Sequence, residues 1–62
     1  MSLQQLQESY RYGRDEQRAY IRELRTATGV EAQHMRHQLR ELALANYSTW
    51  LRIQAVEAVR AG

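Results

Sequence analysis

Between Val30 and Val59, apolar side chains return at helical intervals. Ala32, Met35, Leu39, Leu42, Ala43, Asn46, Trp50 and Ile53 follow one another at steps of three and four, which places them on one side of a helix turning about 100° per residue. This segment holds the only Trp of the chain and its largest aliphatic clusters, Leu39 to Leu44 and Trp50 to Ile53. It predicts one long helix, around which the rest of the chain is organised.

The N-terminal half has a plainer rhythm. Ser2, with Gln5 three residues on, forms a capping-box pattern that can open a helix almost at the first residue. Leu3, Leu6, Tyr10, Gly13, Gln17, Tyr20, Leu24 and Ala27 then alternate by three and four, the spacing of a coiled-coil seam. Gly13 and Gln17 bury little, so the seam is weak in the middle, and two readings compete at the glycine. Either the helix runs through and Gly13 lets a bulky partner side chain approach, or the chain breaks at Tyr12-Gly13-Arg14 and restarts with Asp15 as an N-cap. The heptad phase is the same on both sides of Gly13, which favours the continuous helix.

The clearest punctuation is Thr26-Ala27-Thr28-Gly29-Val30-Glu31. Thr28 and Glu31 have capping-box spacing, and Gly29 can relieve the end of the preceding helix. So short a connection folds two helices back on each other. The predicted fold is all-α, a single domain over residues 1–62, with helix 1 at about 2–27, a turn at about 28 and helix 2 at about 29–60, forming an antiparallel hairpin whose helices are each roughly 40–47 Å long.

Beyond Leu42 a second apolar set joins the first: Leu44, Tyr47, Leu51, Ala55 and Ala58, with Trp50 at its edge. From there to Val59 the helix is apolar over a wider arc than one partner helix can cover. A contiguous apolar surface of this kind marks an interaction site, and these six residues are the candidate partner-binding face. The expected consequence is a homodimer with a four-helix core.

Composition agrees with a helical class. Among 62 residues there are no prolines and three glycines, and Ala, Leu, Glu, Gln and Arg dominate. A chain this short hides only about 60% of the surface of its unfolded form, and small scaffolds usually need disulfides, a metal or a partner chain. There is no Cys, which points to oligomerisation and removes thiolate and redox chemistry. The longest apolar run, Leu42 to Ala45, is far short of the roughly 20 residues that span a bilayer, and no secretory pattern opens the chain, so a cytoplasmic protein is expected. The Asn46-Tyr47-Ser48 sequon is then a chance match.

The net charge is +2, and every basic side chain is Arg. Arg11, Arg14, Arg18, Arg22 and Arg25 lie along one side of helix 1, away from its seam. Asp15 can pair with Arg11 or Arg18, while Glu16 and Glu23 fall on the opposite flank. Such a stripe is either solvated surface or a cationic site for phosphates; Tyr12, off the seam, could stack on a base. No helix-turn-helix, zinc-finger or basic-zipper pattern accompanies it. Glu31-x-x-His34, with His37 and Glu41, has the ligand spacing of carboxylate-bridged metal sites in helical bundles. Those side chains project away from Leu39 and Leu42, and a second Glu-x-x-His is lacking, so they read as surface residues and no metal or other cofactor is expected.

Catalysis finds no foothold. Ser9 and Ser48 have no local His and acid partners, there is no Gly-rich phosphate loop, and a hairpin has no pocket in which to desolvate a carboxylate pair. Asn46, within the apolar stripe, is either a partly exposed residue or a buried one that fixes register and oligomer state. The architecture is reminiscent of small helical hairpins that dimerise into four-helix bundles, among them plasmid copy-number regulators that bind RNA, and of hairpin chaperones and inhibitors that clasp a partner protein. That likeness is of fold alone and carries no residue over. The sequence thus predicts a non-enzymatic protein-interaction module, an adaptor, small chaperone or inhibitor, with a nucleic-acid-binding regulator that uses the arginine stripe as the alternative.

Overall fold

A computed structural model describes residues 2–61: two helices, α1 (Leu3–Leu24) and α2 (Gly29–Ala61), packed against each other as a rod of 49 × 15 × 14 Å. Ser2 opens α1 through a complete capping box. Its Oγ accepts from the Gln5 backbone N–H at 3.2 Å, and its own N–H donates to Gln5 Oε1 at 2.9 Å, so two of the donors a helix start leaves unpaired are satisfied.

In α1 and the turn that follows it, every residue that is not exposed belongs to the heptad seam: Leu3, Leu6, Tyr10, Gly13, Gln17, Tyr20, Leu24 and Ala27. The helix runs unbroken through Gly13. That glycine is required by packing, because a Cβ built there would collide with the side-chain amide of Asn46 and lie 2.9 Å from its Cγ. Asn46 is buried, at 9% exposure, and its Nδ2 donates to Gln17 Oε1 at 3.0 Å. Gly13, Gln17 and Asn46 therefore form a polar layer in the middle of an otherwise apolar seam. Since the amide finds a partner, burying it does not incur the full desolvation penalty.

The seam of α2 departs from the expected stripe at Trp50 and extends past Ile53 to Val56. Ala32, Met35, Leu39, Leu42, Asn46, Thr49, Ile53 and Val56 are withdrawn from solvent at alternating steps of three and four, with Ala43 at the edge, whereas Trp50 lies outside at 38% exposure. Thr49 takes the place the stripe assigned to Trp50. Its hydroxyl donates to the Ala45 carbonyl at 3.1 Å, so a polar side chain can sit there satisfied within its own helix.

Helix α1 ends at Leu24, three residues before the expected boundary near 27. The connection is held by the backbone bonds Thr26 N–H to Glu23 O (3.2 Å) and Ala27 N–H to Leu24 O (3.2 Å), and by Thr26 Oγ1 donating to Glu23 O at 3.1 Å. These bonds stand in place of the expected Thr28–Glu31 box. Gly29, between the two residues of that box, has a left-handed φ of 62°, while the Thr28 carbonyl accepts from Ala32 N–H at 3.4 Å, the first backbone bond of α2. Nothing lies within 4 Å of a Cβ added at Gly29, so Gly29→Ala carries a purely conformational penalty of about 1 kcal/mol. Urea titration at fixed protein concentration should show that loss with an unchanged m-value.

Candidate interaction faces

Helix α2 is too long and too apolar to be covered by α1 alone. Leu44 (59% exposed), Tyr47 (58%) and Leu51 (46%) point outward, together with Ala55 and Ala58. Trp50 stands beside them, its ring stacked on that of Tyr47 with centroids 5.9 Å apart and planes 16° from parallel. All six residues that the sequence singled out as a partner-binding face are exposed on α2, and Leu44, Leu51 and Ala58 share one heptad position, on the side of the helix turned away from α1.

The hairpin also brings particular flanks of the two helices side by side. An open groove of about 530 Å³ runs between Gln7, Tyr10, Arg11, Arg14 and Arg18 of α1 and Trp50, Ile53 and Gln54 of α2. Its arginines are exposed, and the Arg14 guanidinium lies over the Tyr10 ring, 5.9 Å from its centroid. A neighbouring hollow is lined by Asp15, Arg18, Ile21, Arg22 and Arg25. On the other side, near the turn, Tyr20 and Glu23 of α1 and Thr26 of the connection meet Glu31, His34 and Met35 of α2. There the Tyr20 hydroxyl donates to Gln38 Oε1 at 3.1 Å, and Gln38 Nε2 lies 3.2 Å from His34 Nε2.

These two pairings fix which residues share a side. Arg36 and Arg40 stand two heptads before Trp50 and Gln54, and so lie on the same flank as Arg11, Arg14, Arg18 and Arg25, where the carboxylates are Glu57 and, at the rim of the groove, Asp15. The opposite flank carries Glu16, Glu23, Glu31 and Glu41, with Arg52 as its one arginine. Arg22 lies at the outer edge beside Asp15. Tyr12, 71% exposed, leans toward the acidic flank, which removes it from the arginine stripe it was expected to serve.

Neither Arg36 nor Arg40 belongs to the stripe read along helix 1. They join it only through the pairing of the helices. His34, His37, Glu31 and Glu41 are all exposed, and among the described residues no group of three or more His, Cys, Asp or Glu side chains could hold a metal ion. Among those residues, too, no helix is long and apolar enough to cross a membrane. Comparison with known protein families, curated proteins and solved structures finds no match to this chain.

Proposed function

We propose that the protein is a small non-enzymatic interaction module that works through the outer face of α2, and that a second copy of the chain occupies this face to make a four-helix bundle. The observation that carries the reading is the exposure of Leu44, Tyr47, Leu51, Ala55 and Ala58 in one continuous strip, with Trp50 at its border. Area supports a second copy as the occupant. The hairpin exposes 5077 Å² at 7.3 kDa, about 900 Å² more than the roughly 4,200 Å² of a compact monomer of that mass. A standard dimer interface covers about 800 Å² per partner. The buried apolar residues of the hairpin are only Leu6, Ala32, Met35 and Ile53 among those described, which is little for a free-standing domain. Asn46 is the one buried polar side chain among the described residues, so the interior is a packing seam.

Sedimentation equilibrium across roughly 1–100 µM should show a monomer–dimer equilibrium whose thermal midpoint rises with concentration. Leu51→Arg places a charge in the centre of the strip while keeping a strong helix former. It should weaken association about 100-fold, equivalent to ~2.7 kcal/mol, with helicity at high concentration preserved. A well-folded monomer with a concentration-independent midpoint, or Leu51→Arg behaving as the unaltered chain, would sink the dimer and leave the face for a different protein, as in an adaptor, small chaperone or inhibitor.

A further inference from the structure

The modest net charge of +2 conceals a molecule with two unlike sides. An ordinary solvated hairpin intersperses its signs, whereas here six arginines, Arg11, Arg14, Arg18, Arg25, Arg36 and Arg40, share one side with only Asp15 and Glu57, and Glu16, Glu23, Glu31 and Glu41 lie on the other. We propose that the basic flank binds the phosphate backbone of a double-stranded nucleic acid without reading its sequence.

Chemistry, length and shape each support this ligand. The flank's cations are guanidinium groups alone, planar forks that match phosphate oxygens two at a time, and one of them, Arg14, lies over the Tyr10 ring. Arg11, Arg18 and Arg25 recur once per heptad over about 21 Å of helix. A duplex carries one charge per ~1.7 Å of axis, so a row of that length meets more phosphates than six arginines can engage. The flank is spread over both helices of a rod 15 × 14 Å in cross-section, and no groove-reading motif accompanies it. Its arginines are therefore suited to backbone phosphates, contacts that position a protein without reading base edges. The acidic flank orients the encounter, since only one side of the rod is attracted. The outer strip of α2 meets this flank only at Trp50, and none of the six arginines belongs to the strip, so the site does not rest on self-association.

The test is fluorescence anisotropy with labelled RNA and DNA duplexes of about 20 base pairs, each in two unrelated sequences, against salt. For about six contacts, log affinity should fall with log salt at a slope near 5, about a 1,000-fold loss between 50 and 200 mM, and the two sequences should bind alike. Arg18→Glu with Arg25→Glu should cost at least about tenfold and reduce the slope by about two. Arg52→Glu with Arg60→Glu changes the net charge equally but away from the flank, and should leave affinity within about threefold. All four positions are exposed, and circular dichroism checks that both variants keep their helices. Binding of one duplex type alone would support the site and identify its source. Absence of binding to both duplexes at low salt, equal loss in the two double variants, or equally tight binding to polyglutamate or anionic lipid vesicles would overturn it.

Discussion

Gly13→Ala should destabilise the hairpin by about 1–2 kcal/mol, although alanine is the better helix former by ~1 kcal/mol. The added methyl group would collide with the Asn46 side chain. To make room, Asn46 must give up its 3.0 Å bond to Gln17 in a place where water does not replace it readily. A buried amide left unpaired costs about 1–3 kcal/mol, and forcing volume into a packed seam costs a similar amount, so together they outweigh the gain in propensity. Asn46→Ala alone should be milder, because Gln17 is only half-buried and can turn to solvent. The double variant is the informative one: with Asn46 truncated, the alanine at 13 finds space and its propensity is recovered. A thermal double-mutant cycle at one fixed protein concentration should show favourable coupling of about 2 kcal/mol, with Gly13→Ala melting about 10 °C below the unaltered chain. If Gly13→Ala instead raises the midpoint, Asn46 does not press on the glycine in solution.

The same layer shows how much of the molecule is legible in its sequence. The eight seam positions that open the chain are readable from spacing because most intervening positions are polar and the period is regular. Gly13 within that seam is the residue at which the helix was open to two readings, and unbroken heptad phase decides correctly between them. In α2 the signal is blurred by abundance. With apolar residues on two faces, Trp50 outweighs Thr49 on any hydrophobic count, although the 3.5-residue period through Asn46 and Ile53 selects Thr49. What makes Thr49 acceptable, its bond to the Ala45 carbonyl, is a local backbone contact that no hydropathy pattern contains. The outer strip of Leu44, Tyr47 and Leu51 is visible in the sequence because it is surplus to a two-helix seam.

The charge segregation is invisible there for a different reason. Each helix alone carries both signs, and it is the antiparallel pairing of the two seams that sets the arginine flank of α1 beside Arg36 and Arg40 and not beside Glu31 and Glu41. The Thr28–Glu31 pattern misleads because it is judged on side chains. The left-handed φ of Gly29 is a backbone choice that reorients the turn before any side chain can cap it.

Ile53→Ala should be the most damaging of the single substitutions considered. One heptad beyond the Asn46–Gly13 layer, away from the turn, stand Ile53 and Leu6, both buried apolar residues, at 6% and 5% exposure. Truncating a buried isoleucine removes about 2–5 kcal/mol, and a core of this size rarely supplies more than about 3–5. Most of the hairpin's stability is therefore at stake in one side chain. Once the seam opens, the separated helices have little to hold them, since helix formation in water relies on packing an amphipathic face. Far-ultraviolet circular dichroism should show helicity largely lost at low micromolar concentration. Leu51→Ala provides the contrast: it removes a comparable side chain from the outer strip, leaves the seam intact, and should lower the thermal midpoint only to the extent that association contributes, with its effect shrinking as protein concentration rises. If Ile53→Ala and Leu51→Ala lose helicity together, with the same concentration dependence, hairpin formation and self-association are a single cooperative event and no folded monomer precedes the dimer. If Ile53→Ala is as stable as the unaltered chain, Ile53 is not a core residue and the seam as described is wrong.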